Sequence, residues 1–290
     1  MDNTWYKEDA FYQIWCRSFK DGNGDGIGDL YGVLDKLDYI KSLGVDGIWF
    51  SPIYPSPNAD YGYDISDYKN ISPDYGDLDL FKKVLDEAHK RGLKILMDLV
   101  VNHTSDEHYW FKESKKSVDN PYHDYYFWRK GKGKNGKRPP NNWLSTFEGG
   151  AWEYDKDLDE YYLHVFAKKQ PDLNMDNPKV REEVKSIMRF WLDMGVDGFK
   201  TDGGEFIYRP DVRFCDGSDG KSGKNRYARD YTCAYRDFIG SQRVLFSRAG
   251  FSGQHTVPMH WGGDQQSQNA ELRSQLHAGL SAAASGILFW

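Results

Sequence analysis

The chain has 290 residues, a formal net charge of −6 and a sequence pI of about 5.8. This acidic balance argues against nucleic acid as a partner, because a phosphate backbone is bound by a basic surface. The polar N-terminus lacks a signal-peptide pattern and the apolar runs are too short to cross a bilayer, so we expect a cytoplasmic protein without a membrane partner. Three cysteines without metal-like spacing, Cys16, Cys215 and Cys233, indicate free thiols.

Aromatic residues make up 16% of the chain, which is well above ordinary usage. Two interpretations stay open. One is a cleft in which the flat faces of sugar rings pack on aromatic side chains, and the other is an aromatic-rich core. The basic run Arg129–Arg138 is rich in glycine, so we interpret it as a solvated loop.

The first predicted element is a strand over Phe11–Phe19, followed by the stretch DGNGDGIGDL. Side-chain oxygens there alternate with glycines, so several of them can surround one hard cation. We predict a structural Ca²⁺ or Mg²⁺ site at a strand-to-helix turn. Its ligands would be Asp21, Asn23, Asp25, the carbonyl of Ile27, and Asp29. The alternative is an Asp/Gly-rich turn without an ion, and Gly32 stands where an EF-hand loop needs Glu.

Helices and strands then alternate regularly. Helical periodicity covers Leu30–Leu43 and Leu78–Arg91, and apolar strands are predicted over Val45–Phe50 and Lys94–Val100. This order, with its regular connections, is typical of a β/α barrel or of a doubly wound sheet. In a barrel of parallel strands, chemistry is placed beyond the C-terminal strand ends.

Two candidate binding segments lie beyond those strand ends. The proline-broken loop 51–68 carries Asp60, Tyr63 and Asp64, and a ring flanked by carboxylates suits a sugar pocket. The alternative is a turn-rich loop whose aspartates accept from backbone amides. His103 follows the third strand beside Asn102; a lone histidine is more often structural, but this position favours a site.

The alternation stops between Thr104 and Pro171, a segment with short aromatic strands that is too long for a plain connection. We predict a small inserted subdomain after strand three that covers the pocket as a lid. A helix over Asn177–Met194 follows, with Pro178 in its first turn, and leads into a fourth strand.

The stretch GVDGFKTDGGE, Gly195–Glu205, contains the fourth predicted strand and the turn that follows it. Asp202 stands at the C-terminal end of the strand, and the two glycines that follow leave space in front of the carboxylate. Lys200 faces the same side and is expected to keep Asp202 ionised. We predict that Asp202 is a nucleophile; the alternative is an aspartate that caps the next helix.

Further strands are predicted over Arg243–Phe246, Thr256–His260 and Gly286–Trp290, and Asp264 follows the second of these. Two carboxylates across a pocket are the minimum for glycoside hydrolysis, one attacking the anomeric carbon and the other protonating the leaving oxygen. A separation of about 5 to 5.5 Å gives retention, and a wider gap gives inversion. Trp261 offers the acid an apolar wall, and Arg248 is a plausible cation for the nucleophile.

Residues 1 to about 200 resemble the α-amylase superfamily, glycoside hydrolase family thirteen, and within it the oligo-1,6-glucosidase and α-glucosidase branch. The matching motifs are FYQIWCRSFKDGNGDGIGDL, NADYGYDISDY, DLVVNH, QPDLN and GVDGF. The resemblance implies a (β/α)8 barrel with a lid after strand three, and the same ion ligands as above. The side chains that it places around the cleaved glucose are Asp60, Tyr63, His103 and Asp202.

From Lys200 onward the pattern differs, because family thirteen has Arg at this position and a catalytic Glu after strand five. The stretches FKTDGGEF, RVLFSRAGFSGQ, VPMHWGGD and SGILFW instead resemble the α-glucosidases and α-xylosidases of glycoside hydrolase family thirty-one. This second resemblance implies Asp202 as nucleophile and Asp264 as acid/base, with Arg248 and Trp261 in the same pocket. Together the two resemblances predict a chimera of two barrel halves.

The sequence thus predicts an α/β protein with a (β/α)8 TIM-type barrel that is C-terminally incomplete. The predicted divisions are 1–103 and 172–290 for the barrel and 104–171 for the lid. The predicted function is a retaining α-glucosidase-type hydrolase acting on terminal bonds of short oligosaccharides, with Lys200 among its substrate-binding residues. The alternatives are an α-xylosidase or transglycosylase, and an inactive scaffold. An unpaired barrel edge would invite a homodimer.

Overall fold

The computed structural model describes Trp5 and residues 9–202, together with the backbone of two short strands further along the chain. The strands are β1 (Phe11–Ile14), β2 (Gly47–Phe50), β3 (Lys94–Val100), β4 (Trp128–Arg129), β5 (Trp152–Asp155), β6 (Glu160–Leu163), β7 (Gly198–Asp202), β8 (Leu245–Ser247) and β9 (Ile287–Phe289). The helices are α1 (Cys16–Phe19), α2 (Leu30–Asp35), α3 (Leu37–Ser42), α4 (Leu78–Lys90), α5 (Tyr109–Ser114) and α6 (Pro178–Met194).

Strands β1, β2, β3 and β7 form one parallel sheet in that order. Six of the seven β3 residues are buried, as expected for a parallel strand that is covered on both faces. Helix α6 packs through Trp191, which is fully buried against the rings of Tyr54 and Phe81. The predicted strands and helices that became β2, β3, α4 and α6 are therefore confirmed, and much of the aromatic content lies in the core.

The ends of α6 fix how the chain enters β7. The side chain of Asn177 accepts from the Lys179 amide over 2.9 Å, and Pro178 lies in the first turn. The helix ends at Gly195, whose φ of 112° is a conformation that side chains other than glycine rarely adopt. The end of α6 at Gly195 lies seven residues before Asp202, so it determines where β7 begins and where Asp202 is placed.

A second, antiparallel sheet with the order β4-β6-β5 lies in the chain between β3 and β7. It has a small core of its own, formed by Ala151, Trp152, Tyr161 and Leu163. An isolated bridge between His103 and Asp172 joins the start of the segment to its end. The segment is therefore inserted between two neighbouring strands of the parallel sheet, while its action as a lid and the three domain boundaries stay predictions.

Two local predictions are wrong. The strand expected over Phe11–Phe19 ends at Ile14, and the chain continues as the single turn α1, because a short apolar and aromatic run does not distinguish a strand from a buried helical turn. The helix expected over Leu30–Leu43 is broken at Lys36 into α2 and α3. Both pieces bury the same side of the chain, so the apolar periodicity does not reveal the break.

The strands further along the chain also differ from the expectation. Strands β8 and β9 fall in the regions predicted as the fifth and seventh parallel strands, yet they pair antiparallel with each other. A strand of three residues carries no information on its direction, which the rest of the fold decides. The predicted strand over Thr256–His260 lies outside the described residues.

Cys16 is a free thiol inside the fold. Burial, with a smaller contribution from the nearby Asp29 carboxylate, raises the pKa of this thiol to about 12. Cys215 and Cys233 lie outside the described residues. Among the helices that the structure describes, none combines the length and the apolar character needed to span a bilayer.

Candidate active site

The predicted binding residues Asp60, Tyr63 and His103 lie together at the carboxyl end of the parallel sheet. Nε2 of His103 is 3.1 Å from the carbonyl oxygen of Tyr63. Asp60 joins them through Gln170, whose amide nitrogen is 2.8 Å from Oδ2 of Asp60 and 3.0 Å from Nε2 of His103. Three separate segments of the chain, following β2, β3 and β6, therefore meet at one place.

Asp64 holds the loop that carries Asp60. Its buried carboxylate accepts from the hydroxyl of Ser56 and from the backbone amides of Ala59 and Asp60, each over 2.9 Å. For this aspartate the turn-forming alternative is correct. The carboxylate of Asp60 does not take part in these turn contacts and instead contacts Gln170. The two acidic residues of the loop therefore have different roles.

His103 is held on both sides of its ring. The residue is 2% exposed, its ring lies 5.1 Å from that of Phe166, and Nδ1 is 3.2 Å from the side-chain nitrogen of Asn102. A neutral imidazole nitrogen takes one hydrogen-bonding role at a time. Nδ1 faces a donor nitrogen and therefore accepts, so the ring proton lies on Nε2, which donates to the Tyr63 carbonyl.

Lys200 forms a buried ion pair with Asp98. Its Nζ lies 3.2 Å from Oδ2 of Asp98, across the β3–β7 register, and 4.8 Å from the centre of the Trp49 ring. The hydroxyl of Tyr63 is 3.5 Å from the same Asp98 oxygen. The expected role of Lys200 towards Asp202 and the substrate stays a prediction.

The remaining predicted pocket residues are only partly within the described structure. Asp202 is the last residue of β7, and its backbone lies opposite Val100, at the same sheet edge as His103. Asp264, Arg248 and Trp261 lie outside the described residues. The separation of the two predicted catalytic carboxylates therefore stays a prediction.

The Asp/Gly-rich loop directs its oxygens at its own amides. Asp21 accepts from Gly24 and Gly26, and these backbone hydrogen bonds lower the pKa of its carboxyl. Asp29 is buried, and its carboxylate accepts from the amides of Gly22, Asn23 and Gly32. The hydrogen bond from Gly32 caps the N-terminus of α2. Within the described part of the chain, no group of three or more His, Cys, Asp or Glu side chains is arranged around a metal position. The ion site at this loop stays a prediction.

Two residues of the site were absent from the predicted set. Gln170 lies within the motif QPDLN and Asp98 within the predicted strand Lys94–Val100, but neither was predicted to be a site residue. A sequence signal exists for Asp98, since a carboxylate inside the apolar strand KILMDLV needs a buried partner. Nothing local singles out Gln170, because its partners lie 67 and 110 residues away in the chain.

Parallel strands with polar residues gathered beyond their carboxyl ends are typical of β/α barrels and of doubly wound α/β sheets. The chain belongs to the α-amylase family, because the model of the α-amylase catalytic domain matches residues 13–270. That family implies a (β/α)8 barrel. Its match runs well past Lys200, and none of the similarities found supports a segment from glycoside hydrolase family thirty-one or a chimera.

Individual relatives agree with this family. The chain is 63% identical over 202 residues to an oligo-1,6-glucosidase of Parageobacillus thermoglucosidasius, covering 70% of this chain and 35% of the relative. It is 50% identical over 243 residues to an α-glucosidase of Schizosaccharomyces pombe, covering 83% of this chain and 41% of the relative. The chain thus spans little more than a third of the length of most of the curated relatives that it matches.

Two solved structures have the same fold and are identical to this chain at about half of the aligned positions. Isomaltulose synthase from Erwinia rhapontici NX5 is 52% identical with a TM-score of 0.69, and trehalulose synthase MutB from Pseudomonas mesoacidophila MX-45 is 52% identical with a TM-score of 0.68. In both cases 71% of this chain and 36% of the other chain are covered.

Proposed function

We propose that this protein is a retaining α-glucosidase-type glycoside hydrolase that cleaves terminal α-glucosidic bonds of short oligosaccharides by double displacement. The observation that carries the proposal is the meeting of Asp60, Tyr63 and His103 at the sheet edge where β7 ends in Asp202. The names of the relatives, oligo-1,6-glucosidase and α-glucosidase, support it. Carboxylates, a phenol and an imidazole around a narrow space are the groups that bind the hydroxyls of one glucose unit.

In the proposed mechanism Asp202 attacks the anomeric carbon and forms a covalent glycosyl-enzyme, while Asp264 protonates the leaving oxygen. Asp264 then activates the water that hydrolyses the intermediate, so the anomeric configuration is retained. Asp60 and His103 hold the glucose hydroxyls, and Arg248 and Trp261 complete the pocket. Lys200 lies two residues before Asp202 in β7, and its positive charge favours the ionised form of a neighbouring carboxylate.

The test is hydrolysis of 4-nitrophenyl α-D-glucoside by the purified chain beside Asp202→Asn and Asp264→Ala. We expect both variants to lose most of the activity, and ¹H NMR to detect the α-anomer of glucose first. Unchanged activity in Asp202→Asn would exclude this site as the source of hydrolysis. No activity in the unaltered chain, despite a cooperative thermal transition, would favour the alternative of an inactive scaffold.

A second candidate is transfer of the glucosyl group to another sugar, with an α-xylosidase as a further variant. The specific observation in favour of transfer is the similarity to isomaltulose synthase, one structure of which contains sucrose as its natural substrate. Incubation with sucrose separates the reactions: free glucose and fructose indicate hydrolysis, and an isomeric disaccharide indicates transfer. Hydrolysis of 4-nitrophenyl α-D-xyloside tests the xylosidase.

We further propose the two-part origin of the chain, with a family thirty-one type acid/base at Asp264 after a join near Lys200. The support is the residue pattern from FKTDGGEF onward, which lacks the Glu that family thirteen carries after strand five. In this case azide should restore turnover of 4-nitrophenyl α-D-glucoside to Asp264→Gly, because the azide anion attacks the glycosyl-enzyme without a base, releases Asp202 and leaves α-glucosyl azide. An Asp264→Gly variant with full activity would reject the assignment.

The remaining expectations are proposals with direct tests. Binding of Ca²⁺ at the loop of Asp21, Asn23, Asp25, Ile27 and Asp29 would raise the melting temperature relative to a sample in EDTA, and an equal melting temperature would reject it. A homodimer through an unpaired barrel edge would double the mass measured by light scattering. A cytoplasmic location would be tested by cell fractionation.

A further inference from the structure

Two aromatic side chains are exposed side by side at the carboxyl end of the parallel sheet. Trp15 directly follows β1 and is 42% exposed, and Tyr61 lies in the loop after β2 and is 66% exposed. The centres of the two rings are 6.2 Å apart, and the ring planes meet at 85°. The pair therefore forms a corner with two aromatic walls.

The backbone of Tyr61 has an unfavourable conformation. Its φ is 50°, in the left-handed region that a bulky side chain rarely adopts. Asn58 in the same loop has a φ of 60°, but asparagine tolerates this conformation. Strained residues persist where the surrounding structure fixes them, and they cluster at ligand-binding and catalytic sites. Exposure and strain both make tyrosine a poor choice for stability at this position, which favours a role in binding.

The loop holds Tyr61 beside the proposed pocket but outside it. The buried carboxylate of Asp64 accepts from the backbone amide of Asp60 over 2.9 Å and so fixes the loop next to the tyrosine. The side chain of Asp60 contacts Gln170 in the pocket, whereas the ring of Tyr61 packs on Trp15. A ring that is held in place before a ligand arrives loses little conformational freedom on binding.

We propose that Trp15 and Tyr61 form a second carbohydrate-binding site, which holds a glucose ring of an α-glucoside without cleaving it. The apolar face of the sugar packs on an aromatic face, and the indole N–H and the phenol hydroxyl form hydrogen bonds with sugar hydroxyls. Neither side chain is charged, which favours a neutral ligand. The choice of an α-glucoside rests on the proposed function of the adjoining pocket.

The experiment follows the indole N–H signals of the full chain by ¹H–¹⁵N NMR during titration with isomaltotriose. The background substitution Asp202→Asn prevents cleavage of the sugar by the proposed mechanism. The signal of Trp15 is assigned by its loss in Trp15→Phe. Sorbitol, which carries hydroxyls but no ring, is the ligand control.

Two matched variants test the tyrosine. Tyr61→Asn removes one wall of the corner and places at this φ a residue that tolerates it. Tyr109→Asn is the control, since Tyr109 is 57% exposed and its ring also packs edge-on, at 77° to that of Tyr122, but in a helix. The melting temperature and the dissociation constant for isomaltotriose are measured for both variants in the same background.

We expect isomaltotriose to shift the Trp15 signal in a saturable way and sorbitol to leave it unchanged. Tyr61→Asn should weaken the binding about threefold to tenfold, because one stacking contact is lost. Its melting temperature should equal or exceed that of the background protein, since asparagine relieves the backbone strain. Tyr109→Asn should keep the binding.

The proposal is overturned if isomaltotriose leaves the Trp15 signal unchanged, or if sorbitol shifts it as much. It is also overturned if Tyr61→Asn binds as tightly as the background protein. A larger fall in melting temperature for Tyr61→Asn than for Tyr109→Asn would likewise overturn it, because the tyrosine would then be structural. If the unaltered chain hydrolyses no glucoside, the proposed function fails on that result, while the Trp15 signal still decides the second site.

Discussion

Replacing Lys200 with methionine should destabilise the protein strongly, because it removes the cation of a buried ion pair. Lys200 is 12% exposed at its side chain, Asp98 is fully buried, and the charged atoms lie 3.2 Å apart. Removing one partner of such a pair reduces the free energy of unfolding by about 3 to 5 kcal/mol, since the remaining charge stays buried. At about 2 to 4 °C per kcal/mol, the melting temperature should fall by roughly 10 °C.

The assay is thermal and urea unfolding followed by circular dichroism. The double variant Lys200→Met with Asp98→Asn should recover part of the loss, because it no longer leaves a charge beneath the pocket. Lys90→Met is the matched control: Lys90 is 69% exposed and pairs with Glu87 over 2.8 Å, so its removal should change the free energy of unfolding far less than that of Lys200. Equal effects of Lys200→Met and Lys90→Met would refute the reasoning.

Three further predictions concern the fold. In Gly32→Ala the new methyl group would overlap the carbonyl oxygen of Lys20, so urea unfolding should detect a loss of about 1 to 3 kcal/mol. Cys16, with its thiol pKa raised to about 12, should resist iodoacetamide at pH 8 until the protein is unfolded, as peptide mass spectrometry can measure. Burial lowers the pKa of His108 to about 3, so the unfolded state binds more protons below pH 6.5 and stability falls as the pH drops from there towards 3. His108→Asn, which keeps a cap for the Trp110 amide, should show a weaker fall in melting temperature over that range.

The sequence predicted the elements whose signals are local. The apolar run Lys94–Val100 and the capped, periodic helix Pro178–Met194 are found almost where they were expected, because burial and capping act within a few residues. The single turn α1 and the antiparallel pairing of β8 with β9 were missed. In both cases a short apolar run is compatible with several structures, and contacts elsewhere decide between them.

The sequence predicted that Asp60, Tyr63 and His103 lie close together, as they do, but it did not predict which groups they contact. Asp60 and Asp64 stand four residues apart in one loop, and nothing in the sequence tells which of them binds amides of its own loop. The structure separates them, because Asp64 is buried under the turn whereas Asp60 contacts Gln170 across 110 residues of chain. Pairings over such distances are products of the whole fold, so a single sequence does not display them.

The inserted segment therefore contributes to the pocket through the way its two ends pair with each other, because this pairing places Gln170. Backbone hydrogen bonds from Thr104 to Pro171 and from Leu173 to Asn102, over 3.2 and 2.8 Å, pair the two ends of the segment on either side of His103. Neighbouring residues of an extended chain face opposite sides, so a slip of one residue in this pairing would turn Gln170 away from Asp60. The backbone pairing at the ends of the inserted segment and the hydrogen bonds of the pocket side chains thus depend on each other. We expect a change in this pairing to alter the site even where no pocket residue is replaced.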